Sequence, residues 1–171
     1  MVAVSYTSTR GIYTKIPCSI DDVYTDIEVV KTTLLNQGEV LENEEEYLNN
    51  MLQSVYEDRA FAFECNGKRV GFIYNRTDER FPRKLVASSL YIPNDPIALI
   101  IMMLSLTLSK YRYLIVFPHG RNLITFKSFI TRPSMRLYNA GMNNYVLVSN
   151  NEHSTHTIRR LVKLFQIKKV K

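Results

Sequence analysis

Apolar positions recur with a helical period over two stretches in the first third of the chain. Ile20, Val23, Tyr24, Ile27, Val30 and Leu34 stand three and four apart, on one face of a predicted helix. Ser19 offers a capping hydroxyl, Asp22 follows three residues on as in a capping box, and Gly38 closes the segment. Tyr47, Leu48, Met51, Leu52, Val55 and Tyr56 form a second stripe, which predicts a helix from about Glu42 to Tyr56. Glu42, Glu44, Glu45 and Glu46 crowd its first turn. The helix dipole favours negative charge there, which accounts for the acidic run without a metal.

Strand patterns surround these helices. Residues 4–16 alternate loosely and predict a first strand. AFAFEC and RVGFIY flank Asn66-Gly67, a dipeptide suited to a two-residue hairpin turn. LVASSLYI, residues 85–92, predicts another strand, broken by Pro93-Asn94-Asp95-Pro96. Asp95 is the natural cap of the next helix, with Pro96 at its first position. That helix, from Ile97 to about Lys110, is apolar almost all round and should be buried. YLIVFP predicts a strand and residues 121–131 are ambiguous. Pro133 to Ala140 fits a short helix ending at Gly141, and YVLVS predicts a strand. From Thr157, Ile158, Leu161, Val162 and Phe165 return to helical spacing, with QIKKV a candidate closing strand. The expected fold class is α/β (α+β), a single domain over residues 1–171. It has a mixed central sheet and a basic tail at about 157–171.

With 171 residues, 46% of them hydrophobic, the chain can build one core. Cys18 and Cys65 stand alone, which fits buried thiols in a reducing compartment better than a disulfide framework or zinc. The start of the chain shows no apolar secretory segment, and residues 97–108 are too short to span a bilayer. The expected location is therefore the cytoplasm.

Charge is distributed unevenly. Residues 1–58 hold 3 Lys/Arg against 11 Asp/Glu, a balance of −8, whereas residues 96–171 hold 12 against 1, a balance of +11. Arg76, Arg80, Arg83 and Lys84 form one basic group, and Arg159, Arg160 and Lys163 another. Both are candidate partner-binding residues, for other protein subunits or for nucleic acid. Solvated surface is the competing explanation. His119 follows a strand, and His153 and His156 fall in a polar loop whose three-residue spacing does not by itself make a metal site.

The predicted order is β-α-α-β-β-β-α-β-α-β. Three stretches, ECNGKRVGFIYN, SLYIPNDPIALIIMMLSL and PSMRLYNAGMNNYVLVS, follow it in a way that resembles the GNAT superfamily of N-acetyltransferases. The resemblance implies that Tyr138 would be the general acid on the departing thiolate and Glu64 a base. It also implies a phosphate-binding motif, R/Q-x-x-G-x-G/A, at the strand-to-helix junction. Alignment on Pro93 puts Pro96, Leu99 and Ile101 at its key positions. Proline lacks an N–H, the two apolar side chains obstruct close backbone approach, and Asp95 repels phosphate. The expectation is a degenerate member that binds no cofactor. It would be a non-catalytic structural or interaction protein in a larger assembly, such as a bacteriophage virion or ejection component. The alternatives are an acetyl-CoA-dependent N-acetyltransferase and a nucleic-acid-associated basic protein.

Overall fold

The computed structural model describes residues 2–36, 38–80, 82–92, 95–107, 113–116, 135–140, 143–149 and 152–170. The chain opens with strands β1 (Val4–Ser8) and β2 (Gly11–Pro17), then helices α1 (Ile20–Asn36) and α2 (Glu44–Tyr56). Strands β3 (Ala60–Cys65), β4 (Lys68–Thr77) and β5 (Lys84–Tyr91) lead into α3 (Pro96–Thr107). Then come β6 (Tyr113–Val116), β7 (Met135–Ala140), β8 (Asn143–Ser149), α4 (Glu152–Leu164) and β9 (Lys168–Lys169). Among the described residues these strands make one sheet in the order β7-β8-β6-β5-β4-β3-β2-β1-β9. All its pairings are antiparallel except β5 with β6.

Local chemistry explains the turns. Asn66 and Gly67 both have positive φ, 51° and 84°, as a tight two-residue hairpin turn requires. Asn66 also ties this turn to β2: its Oδ1 accepts from the Ile12 N–H at 3.0 Å. The single strand expected over residues 4–16 is instead the β1–β2 hairpin. It turns at Gly11, whose φ of +126° suits glycine, and a Cβ there would stand 2.6 Å from the Asn66 amide. Ser19 and Asp22 form the expected capping box at α1, with Ser19 N–H donating to Asp22 at 2.8 Å. Asn43 caps α2 by accepting from the Glu46 N–H at 3.1 Å.

The sheet separates two cores. On one face, Val23, Ile27, Val30 and Leu34 of α1 and Met51 of α2 pack on Ala60, Ala62, Phe72 and Tyr74. On the other, α3 and Ile158 of α4 pack on Tyr6, Tyr13, Phe63, Ile73 and Leu85. Successive residues of β4 therefore feed opposite cores, as strand alternation dictates. Ile97 to Met103 are all buried, so the expected burial of α3 holds along most of its length. Each fully buried aliphatic side chain stabilises by about 1.5–3 kcal/mol.

Two expectations are corrected in the C-terminal part. Residues 135–140 form β7, hydrogen-bonded to β8, where a helix was expected over 133–140. Pairing along a neighbouring strand overrides the proline and glycine punctuation. The last helix begins at Glu152, so His153 and His156 lie on a helix and not in a loop. Residues 119 and 121–131 lie outside the described residues. No described helix is long and apolar enough to cross a membrane.

Candidate active site

Strand β5 carries two irregularities close together. Its parallel ladder with β6 covers Lys84 to Val86, opposite Tyr113 to Ile115. Val116 continues to pair with β8 but no longer with β5. Among the described residues the β5–β6 ladder therefore ends at Val86. On the opposite edge of β5, Tyr74 pairs with Ser89 and Asn75 with Ala87, which leaves Ser88 as the extra residue of a β-bulge.

The bulge turns two consecutive hydroxyls to the same side. Ser88 Oγ lies 2.7 Å from Ser54 Oγ of α2, and Ser89 Oγ accepts from the Tyr47 hydroxyl, also of α2, at 2.7 Å. Ser54 donates to the Asn50 carbonyl at 3.0 Å, so the hydrogen between the two serines belongs to Ser88. Ser89 retains its own O–H hydrogen after accepting from Tyr47. Burial pushes the Tyr47 hydroxyl up to about 12, which keeps it a proton donor at neutral pH. Across from the bulge, Asn75 is buried, and its Oδ1 has no hydrogen-bond partner among the described residues. A buried polar atom without a partner is uncommon and suits a ligand site.

Helix α3 starts directly after this strand. Asp95 Oδ1 accepts from the Ala98 N–H at 3.0 Å, which is the expected cap. Both Asp95 oxygens lie 2.9 Å from the Tyr13 hydroxyl of β2.

The residues singled out in the sequence are dispersed. Glu64 is half-buried near the β3–β4 turn, opposite Arg69 in the strand register. Arg69 is six residues along β4 from Asn75, about 20 Å at the usual strand rise. Tyr138 lies in β7 opposite Tyr145. Arg76 and Arg80 both bind Asp78, at 2.9 and 2.7 Å, and hold its carboxyl well below the usual carboxylate range; the hydrogen bonds from Arg80 are the largest cause. Arg83 is exposed with φ of 61°, and Lys84 opens β5. Arg159, Arg160 and Lys163 are exposed on α4, while Ile158 is buried in the core beside half-buried Leu161 and Val162. Tyr47, Ser88, Ser89 and Asn75 were not singled out. The available signal was a pair of serines inside the otherwise apolar strand LVASSLYI.

A second polar cluster lies under α1. Asp26, buried, is paired with Arg69 and accepts from the Tyr74 hydroxyl at 2.5 Å. Burial raises the Asp26 carboxyl despite these two partners. Cys18 beside them is pushed up to about 11 by burial, so it is an unreactive thiol at neutral pH.

No family model matches the sequence, and no curated protein matches it. Solved structures do. RimJ from Mycobacterium smegmatis in complex with CoA-disulfide superposes with a TM-score of 0.62 at 11% identity, covering 97% of this chain and 96% of that one. PaiA N-acetyltransferase from Thermoplasma acidophilum, in complex with coenzyme A, gives 0.56 at 17% identity over 80% and 98%. Diaminobutyrate acetyltransferase EctA from Paenibacillus lautus, with its substrate and coenzyme A, gives 0.52 at 15% over 82% and 96%. The chain has the GNAT fold.

The GNAT fold agrees with the resemblance seen in the sequence. The likenesses correct two further expectations. A non-catalytic structural or virion protein is not what they favour, because PaiA and EctA are acetyltransferases. Nor do they favour the absence of a cofactor, because several hold CoA or acetyl-CoA. The alternative reading, an acetyl-CoA-dependent N-acetyltransferase, fits them better.

Proposed function

We propose that the chain is an N-acetyltransferase that takes its acyl group from a CoA-type thioester. One observation carries this reading: among the described residues the β5–β6 ladder ends at Val86, two residues before the bulge at Ser88. An extended arm bearing amides finds main-chain partners where a strand loses its neighbour. The residues present fit such an arm. They do not fit a diphosphate at the start of α3, where the Asp95 carboxylate already caps the helix.

When bound, a CoA thioester supplies an activated acyl carbonyl. The chain's own residues position it and handle protons. The main chain of Ala87 to Ser89 would align the arm. Ser88, the extra residue of the bulge, has no partner of its own in the β4 register, and its N–H would donate to the carbonyl oxygen as negative charge develops. Ser89 would hydrogen-bond the departing sulfur through its O–H while accepting from the protonated Tyr47 hydroxyl. A cytoplasmic setting goes with this reading, since Cys18 and Cys65 are free thiols. The exposed face of Arg159, Arg160 and Lys163 supports an acidic macromolecule as partner.

Thiol release from acetyl-CoA in the presence of small amines, polyamines and peptides tests the proposal. The expected result is amine-dependent release, with Ser89→Ala lowering kcat by about 10²-fold and leaving CoA binding intact. Equal release with and without protein, for every amine, counts against it.

A further inference from the structure

We infer that this chain recognises its acyl donor through the pantetheine arm, with the diphosphate contributing little to binding. The inference rests on the acetyltransferase reading above and names the part of the donor that the site reads.

A helix start holds phosphate through open N–H groups and the positive end of the helix dipole. At α3 both are already used. Pro96 has no N–H. The Ala98 N–H donates to Asp95 Oδ1 at 3.0 Å, and the Leu99 N–H to the Asp95 carbonyl at 3.3 Å. Among the described contacts only the Ile97 N–H is left of the first four positions, and Ile97 is 0% exposed, so its N–H does not face an incoming ligand. The Asp95 carboxylate sits at the positive end of the dipole, where a diphosphate would have to compete with it.

Asp95 is also held in place. Tyr13 is 2% exposed and its hydroxyl stands 2.9 Å from both carboxylate oxygens. Moving Asp95 aside would strand a buried phenol. The segment offers no cation in exchange, since no Lys or Arg occurs between residues 84 and 110. The arm-binding side differs: among the described residues the β5–β6 ladder ends at Val86, and the buried Oδ1 of Asn75 stands without a partner. The donor class is thus the acyl thioester of pantetheine, with whatever lies beyond the arm's end left outside the grip of α3.

Calorimetry of the whole chain with CoA and with pantetheine, in parallel, tests this. Affinities within about tenfold of each other support the inference. CoA binding more than about tenfold tighter overturns it and leaves the acetyltransferase reading standing. Binding of neither at millimolar concentration overturns that reading, and the inference with it. Asp95→Asn supplies a second measurement, because asparagine caps a helix about as well as aspartate. The variant should bind CoA about fivefold or more tighter, with pantetheine affinity unchanged, since one opposing charge is gone. An unchanged CoA affinity would contradict the role given to Asp95.

Discussion

The Tyr13 hydroxyl meets the Asp95 carboxylate across 82 residues of chain, 2.9 Å from each oxygen. This contact joins β2, near one edge of the sheet, to the cap of α3 at its centre. Burial, with Asp95 adding to it, raises the Tyr13 hydroxyl, so it remains a donor at any ordinary pH. Tyr13→Phe should destabilise the fold by about 1.5–3 kcal/mol, the usual worth of a hydrogen bond to a charged group. Urea unfolding measures the loss; a change below about 0.5 kcal/mol would mean the contact is dispensable.

The apolar helix α3 should be sensitive to truncation. Ile100 is 1% exposed and sits among Leu99, Ile101 and the sheet core. Ile100→Ala should cost about 2–5 kcal/mol, read from the same unfolding curves. Leu104 is only half-buried, so Leu104→Ala should cost less than Ile100→Ala.

Much of the fold was legible because its signals are local. Asn66-Gly67, the Ser19–Asp22 cap and the Asp95–Pro96 helix start are settled by residues within a few positions of one another. Strand β7 was not legible, because Pro133 and Gly141 punctuate a helix while pairing with β8 decides the outcome. The Ser88 bulge is a property of the register between two strands, which neither strand's sequence reveals alone. Tyr47 reads as one more member of an apolar stripe until its hydroxyl is seen on Ser89. The cofactor expectation failed for a related reason. The missing glycines bear on how a diphosphate would be gripped, whereas the end of the described β5–β6 ladder at Val86 is a tertiary feature.

Acid should reveal the Asp26 site. Burial raises this carboxyl in the fold, so its contribution is fully present below the unfolded value near 3.8 and is lost as pH rises through the folded value. In Asp26→Asn that contribution is absent. The stability of wild type relative to this variant should therefore fall as pH rises above the unfolded value, followed by urea unfolding at several pH values. A difference that rises with pH would show the Arg69 pairing, not burial, to dominate.

The α4 face should act as a polyanion contact. Arg159, Arg160 and Lys163 point outward while Ile158 anchors the helix. Changing all three to Ser should leave the thermal melt close to wild type. The same change should flatten the salt dependence of binding to a labelled DNA duplex, by up to about 0.9 per lost phosphate contact in the log–log slope. An unaltered slope would remove this face from polyanion binding.

The most direct test of the donor site is a titration with coenzyme A followed by backbone amide NMR. The predicted result is that the amides of Ala87, Ser88 and Ser89 shift saturably, while those of Asn66 and Gly67 at the far hairpin stay still. Saturable binding with no change at Ala87 to Ser89, or no binding at millimolar coenzyme A, would contradict the assignment of this part of β5 as the donor site.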